Sequence, residues 1–74
     1  MTNQEAKEYL GKYVAKRLIR MSGSQEELGD FFGVSATLIW NILNGYYERV
    51  SVRMYMEMAR KLEIEIDVYV VGED

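Results

Sequence analysis

Apolar positions recur with a helical period from the N-terminus to Leu62, then switch to strict alternation. The first stretch opens with Thr2 and, three residues on, Glu5, the spacing of a capping box. Ala6, Tyr9, Leu10, Tyr13, Val14, Leu18 and Met21 follow at one-face spacing, which predicts a helix of about five turns. Ser22-Gly23 ends it, and Ser24 with Glu27 repeats the capping signature. Leu28, Phe31 and Phe32 then give a short second helix. It breaks at Gly33, where a turn requires a residue that accepts positive φ. Val34 plugs the turn, and Ser35 caps a third helix with Leu38, Ile39, Ile42 and Leu43 on its apolar side. Asn44-Gly45 stops that helix, since both residues tolerate the left-handed conformation. After the loop Tyr46-Tyr47-Glu48-Arg49-Val50, Ser51 caps a last helix from Val52 to Leu62. Its apolar positions cover more than one stripe, which predicts a buried surface beyond a single core contact.

Glu63 to Val71 has a period of two, with Ile64, Ile66, Val68 and Val70 on one face. The chain offers no second strand of this quality. A lone strand leaves backbone donors and acceptors unpaired, so the economical partner is the same strand of a second subunit about a two-fold axis. Pairing centred on Ile66 sets Glu65 opposite Asp67, which is repulsive, and a register near Val68 avoids it.

At 74 residues the chain is one domain, residues 1–74, small enough that its own core is marginal. It has no cysteine and no histidine, so no disulfide, zinc cluster, thiol nucleophile or imidazole base is on offer. The sequence therefore predicts no enzyme, no metal site and no cofactor. No apolar run reaches a membrane span and no signal peptide is visible, so the expectation is a soluble, cytoplasmic chain with no membrane partner. The net charge of −3 is wrong-signed for a non-specific nucleic-acid coat. Its distribution is uneven. Residues 7–20 carry five cations against one acid, whereas residues 22–48 carry four acids and no cation.

Two short helices locked by a turn containing Gly make a helix-turn-helix unit. The stretch Ser24–Gly45 resembles the helix-turn-helix of the Xre/Cro/lambda-repressor-like DNA-binding family. The likeness rests on Gln25, Leu28, a small residue at Gly29, Gly33-Val34-Ser35 at the turn, Ile39, Ile42 and the closing Asn44-Gly45. The family usually has Ala at the position of Gly29, a difference worth about 1 kcal/mol of helix propensity. The basic loop, last helix and terminal strand resemble the tails of HigA-like antitoxins and of Cro-like repressors. The resemblance implies a mainly α fold: a lambda-repressor-like bundle of about four helices, plus one C-terminal β-strand pairing between subunits. It also implies a homodimer on a pseudo-palindromic operator, with half-sites about one DNA turn apart, roughly 34 Å.

In such a unit the N-terminal half of the second helix meets base edges in the major groove, which nominates Ser35, Ala36, Thr37, Trp40 and Asn41. Asn41 suits bidentate pairing with adenine, and Ala36 and the Thr37 methyl suit thymine methyls. By resemblance, Gln25 and Asn44 touch the DNA backbone or adjacent bases, and Arg49 is the phosphate contact of the following loop. Capping of the third helix is an equal role for Asn44. Lys16, Arg17 and Arg20 are further phosphate candidates, although a charged helix face often serves only solvation. Trp40, the single tryptophan, has three possible roles: contacting DNA, docking a protein, or folding back on the next loop. Ile64, Ile66, Val68 and Val70 are the candidate dimerisation residues. A second reading is a protein-interaction module, such as an antitoxin that neutralises a toxin protein, with DNA binding secondary or lost.

Overall fold

The computed structural model describes residues 2–63. The proposed strand, including Ile64, Ile66, Val68 and Val70, lies outside them. Among the described residues the fold is mainly helical, with four α-helices: α1 (Asn3–Arg20), α2 (Gln25–Phe32), α3 (Ala36–Leu43) and α4 (Val52–Lys61). A single 3₁₀ turn, Tyr47–Arg49, separates α3 from α4.

Local capping chemistry sets the helix starts. Thr2 Oγ1 accepts from the Glu5 amide at 3.2 Å, while the Glu5 carboxylate accepts from the Thr2 amide at 3.0 Å. Ser24 and Glu27 repeat the exchange at 3.1 and 3.0 Å. Ser35 and Ser51 each accept one amide, from Leu38 and Met54, both at 3.1 Å. Gly33 ends α2 with φ +71, in the left-handed region that favours glycine. At the end of α3 the roles of Asn44 and Gly45 divide: Asn44 stays at φ −100 and only Gly45 turns left-handed, at φ +84. Glu63, expected as the first strand residue, instead lies in the turn after α4 with φ +59, its amide donating to the Arg60 carbonyl.

One core joins the elements. Leu10, Val14 and Leu18 of α1, Leu28 of α2, Ile39 and Ile42 of α3, Val50, and Tyr55 and Met58 of α4 form it. Helix α1 packs against both α3 and α4, and α2 packs against α3. The buried face of α1 differs from the one expected. Tyr9 and Tyr13 lie at its margin, exposed, and meet edge to face at 5.0 Å. Gly11 and Ala15 complete the buried side instead. A Cβ at Gly11 would come within 2.6 Å of the Tyr47 ring, so the missing side chain is what admits the 3₁₀ turn against α1. Phe31 is likewise exposed, edge-on to Phe32, with the Lys61 ammonium 5.0 Å from its ring centre. The wide apolar surface of α4 is partly used within the chain, because Val52, Met54 and Met56 pack half-buried against the core.

Candidate nucleic-acid interface

The tight turn Gly33–Ser35 brings the starts of α2 and α3 together. Val34 donates its amide to the Gly29 carbonyl at 2.8 Å, and Gly29 has no side chain to hold the turn away. Ser24, Gln25 and Glu26 from the start of α2 and Ala36 from the start of α3 consequently line one shallow hollow. Ser35 is exposed, and its oxygen is committed to capping α3. Thr37 is exposed one residue beyond Ala36.

Further along the same face of α3, Trp40 does not stand free. Its ring stacks on Tyr46, centroids 5.5 Å apart and planes 16° from parallel, so the tryptophan folds back on the following loop. It remains 39 % exposed and Tyr46 38 %, so the pair still presents an aromatic surface to solvent. The Arg49 guanidinium lies over the Tyr46 ring of this stack, 4.1 Å from its centre. From there Arg49 Nη1 donates to Asn41 Oδ1 at 3.2 Å. The Tyr46 amide donates to the Asn41 carbonyl at 2.9 Å, which ties the loop to α3. Asn44 uses its side-chain nitrogen to cap the helix, donating to the Trp40 carbonyl at 2.9 Å.

The three cations nominated from α1 fall into a different group. Lys16, Arg17 and Arg20 line a hollow with Tyr13, formed by α1 alone. Arg17 is partly used inside the fold, its Nη2 donating to the Leu62 carbonyl at 3.3 Å at the end of α4. Gln25, Ala36, Thr37, Asn41 and Arg49 are therefore tied to the α2–α3 unit and its loop, whereas Lys16, Arg17 and Arg20 belong to the outer side of α1. The acids remain beside Gln25. Glu27 is held below the usual carboxylate range, mainly by the Ser24 backbone amide and then by the Ser24 hydroxyl, so the start of α2 keeps its negative charge.

From the sequence, the loop tyrosines Tyr46 and Tyr47 offer only their hydroxyls as helpers to Arg49, whereas in the fold it is the Tyr46 ring that joins Trp40 to Arg49. An aromatic soon after an Asn-Gly helix stop is a weak signal, because only the folded turn shows which ring it faces. Comparison with protein-family models, with curated proteins and with solved structures finds no match to this chain.

Proposed function

We propose that this chain is a sequence-specific DNA-binding transcriptional regulator, a cytoplasmic repressor that occupies a pseudo-palindromic operator as a homodimer. The observation that carries the reading is the shared hollow of Gln25 and Ala36, where two helix starts meet beside exposed Ser35 and Thr37. Helix starts offer backbone amides to phosphate, and the face of α3 beyond them carries short polar groups of the size that reads base edges. In this reading α3 enters the major groove. Gln25 holds the backbone at one end, Arg49 and the aromatic pair approach from the other, and the terminal strand sets the distance between two copies of α3. The mechanism involves no bond-making chemistry. A repressor of this kind acts by excluding polymerase from the promoter.

Trp40 supplies the test. Its emission is followed while duplex DNA from the region upstream of the chain's own gene is added, at two salt concentrations, with a scrambled duplex as control. A change at nanomolar to micromolar duplex, weakened by salt and absent with the scrambled control, supports a specific reader. A flat response with no mobility shift removes the proposal.

That outcome would favour a protein-binding module, an antitoxin that masks a toxin protein. Two features support this second reading: Glu26 in the hollow itself, and the exposed Trp40–Tyr46 stack, of the aromatic kind common at protein interfaces. A toxin gene beside this one would point the same way.

A further inference from the structure

We infer that Asn41 and Arg49 act as one unit that reads guanine, an inference that rests on the DNA-binding reading above. An asparagine recognises adenine by using both ends of its amide: the oxygen accepts from N6 and the nitrogen donates to N7. Here the oxygen of Asn41 already accepts from Arg49 Nη1 at 3.2 Å. With that oxygen engaged, what the pair has left to offer a base is mainly the Asn41 amide nitrogen and the remaining guanidinium N–H groups, which are all donors. Guanine offers two acceptors, O6 and N7, on its major-groove edge. Adenine offers one acceptor and one donor, so its N6 amino group would face donors and lose its own partner.

The unit is held in place from behind. The guanidinium lies on the Tyr46 ring at 4.1 Å, and that ring is stacked on Trp40. A planar fork fixed by stacking loses less freedom on binding than one free in solvent. Charge adds to the argument. Between residues 21 and 52 Arg49 is the sole cation, and the fold delivers it to the exposed face of α3 rather than to a general basic surface. Trp40 and Tyr46 thereby acquire a role as positioning residues for Arg49.

The experiment starts by selecting duplexes from a randomised pool with the wild-type protein. Affinities are then compared for the best duplex, for the same duplex with its selected guanine changed to adenine, and for one with 7-deazaguanine, which lacks the N7 acceptor. The wild type should lose about tenfold on either change. In Arg49→Ala the Asn41 oxygen is released, so the preference at that position should move from guanine towards adenine. The double variant with Asn41→Ala should not discriminate there. Melting curves establish that the variants fold, and the 7-deazaguanine comparison needs only the wild type. Equal loss by Arg49→Ala on the guanine and adenine duplexes would make Arg49 a phosphate contact and overturn the inference. So would full wild-type affinity for 7-deazaguanine. Failure of the wild type to enrich any duplex would instead remove the DNA-binding reading, and this inference with it.

Discussion

A methyl group on Gly29 would lie 2.6 Å from the carbonyl oxygen of Val34, closer than a carbon and an oxygen can sit without something moving. The neighbour is backbone, part of the turn that orients α3 against α2, so it has little room to yield. Alanine at this position therefore does not simply preserve the approach of the two helices.

Gly29→Ala gains about 1 kcal/mol of helix propensity. It meets an overpacking cost of about 1–3 kcal/mol at the turn. The expected outcome is a net loss of about 1 kcal/mol, read as a lower midpoint in denaturant with an unchanged slope. A midpoint equal to or above the wild type would mean that the turn gives way freely and that the close approach is incidental.

Legibility followed the range of the interaction. The starts of all four helices were legible because each depends on a side chain and an amide three residues apart, as in Thr2–Glu5 and Ser24–Glu27. Gly33 was legible because a positive φ restricts residue type. The buried face of α1 was only half legible. Apolar spacing assigned Tyr9 and Tyr13 to it, but which edge of the stripe is covered depends on the 3₁₀ turn packing over Gly11. The sequence offers Arg17 as a phosphate candidate and gives no sign of its bond to the Leu62 carbonyl, because that acceptor lies far along the chain. The same holds for the candidate site. The α3 face could be nominated from position alone, whereas the chain of contacts from Trp40 through Tyr46 and Arg49 to Asn41 exists only after the loop folds back.

Tyr55 gives a prediction that the sequence did not suggest. Its ring is fully buried and its hydroxyl donates to the Tyr47 carbonyl at 2.6 Å. Burial, and then the neighbouring Tyr47 and Glu48, push its pKa well above the ordinary 10.0. Tyr55→Phe should cost about 1 kcal/mol at neutral pH, the worth of one lost hydrogen bond. Because the folded pKa is raised, the contribution is whole below pH 10.0 and is lost as pH climbs from there towards the folded value. The stability gap between wild type and variant should thus narrow above pH 10.0. A gap that widens there would contradict the assigned bond.

The two capping boxes give the opposite pH dependence. Glu5 and Glu27 are held below their ordinary value of 4.5, each first by the backbone amide and then by the hydroxyl of its cap residue. With folded pKa values depressed, their contribution is present above pH 4.5 and is lost as pH falls through the lower folded values. Glutamine retains the capping reach without titrating. The double variant Glu5→Gln/Glu27→Gln should therefore show a flatter stability profile below pH 4.5 than the wild type. Ser24→Ala, which removes the other half of one box, should cost about 1 kcal/mol at neutral pH. Identical acid limbs for wild type and double variant would show that other carboxylates govern acid unfolding.

In the proposed function the strand expected over residues 64–71 would carry the dimer, and its test joins the fold to the function. Strict alternation of Ile64, Ile66, Val68 and Val70 with acids and Tyr69 is a half-buried strand pattern, and the register near Val68 keeps Glu65 away from Asp67. Proline at the centre of that register removes a ladder donor. Val68→Pro should sediment as a monomer under conditions where the wild type is a dimer. A monomer also engages the two half-sites independently, so its operator affinity should fall by a factor on the order of 10² or more, the avidity that linkage supplies. Its helical content should not change, since no residue of α1–α4 is touched. A wild type that sediments as a monomer would remove the strand-paired dimer. A monomeric Val68→Pro with undiminished affinity for the operator would leave the dimer but end its role in spacing two copies of α3.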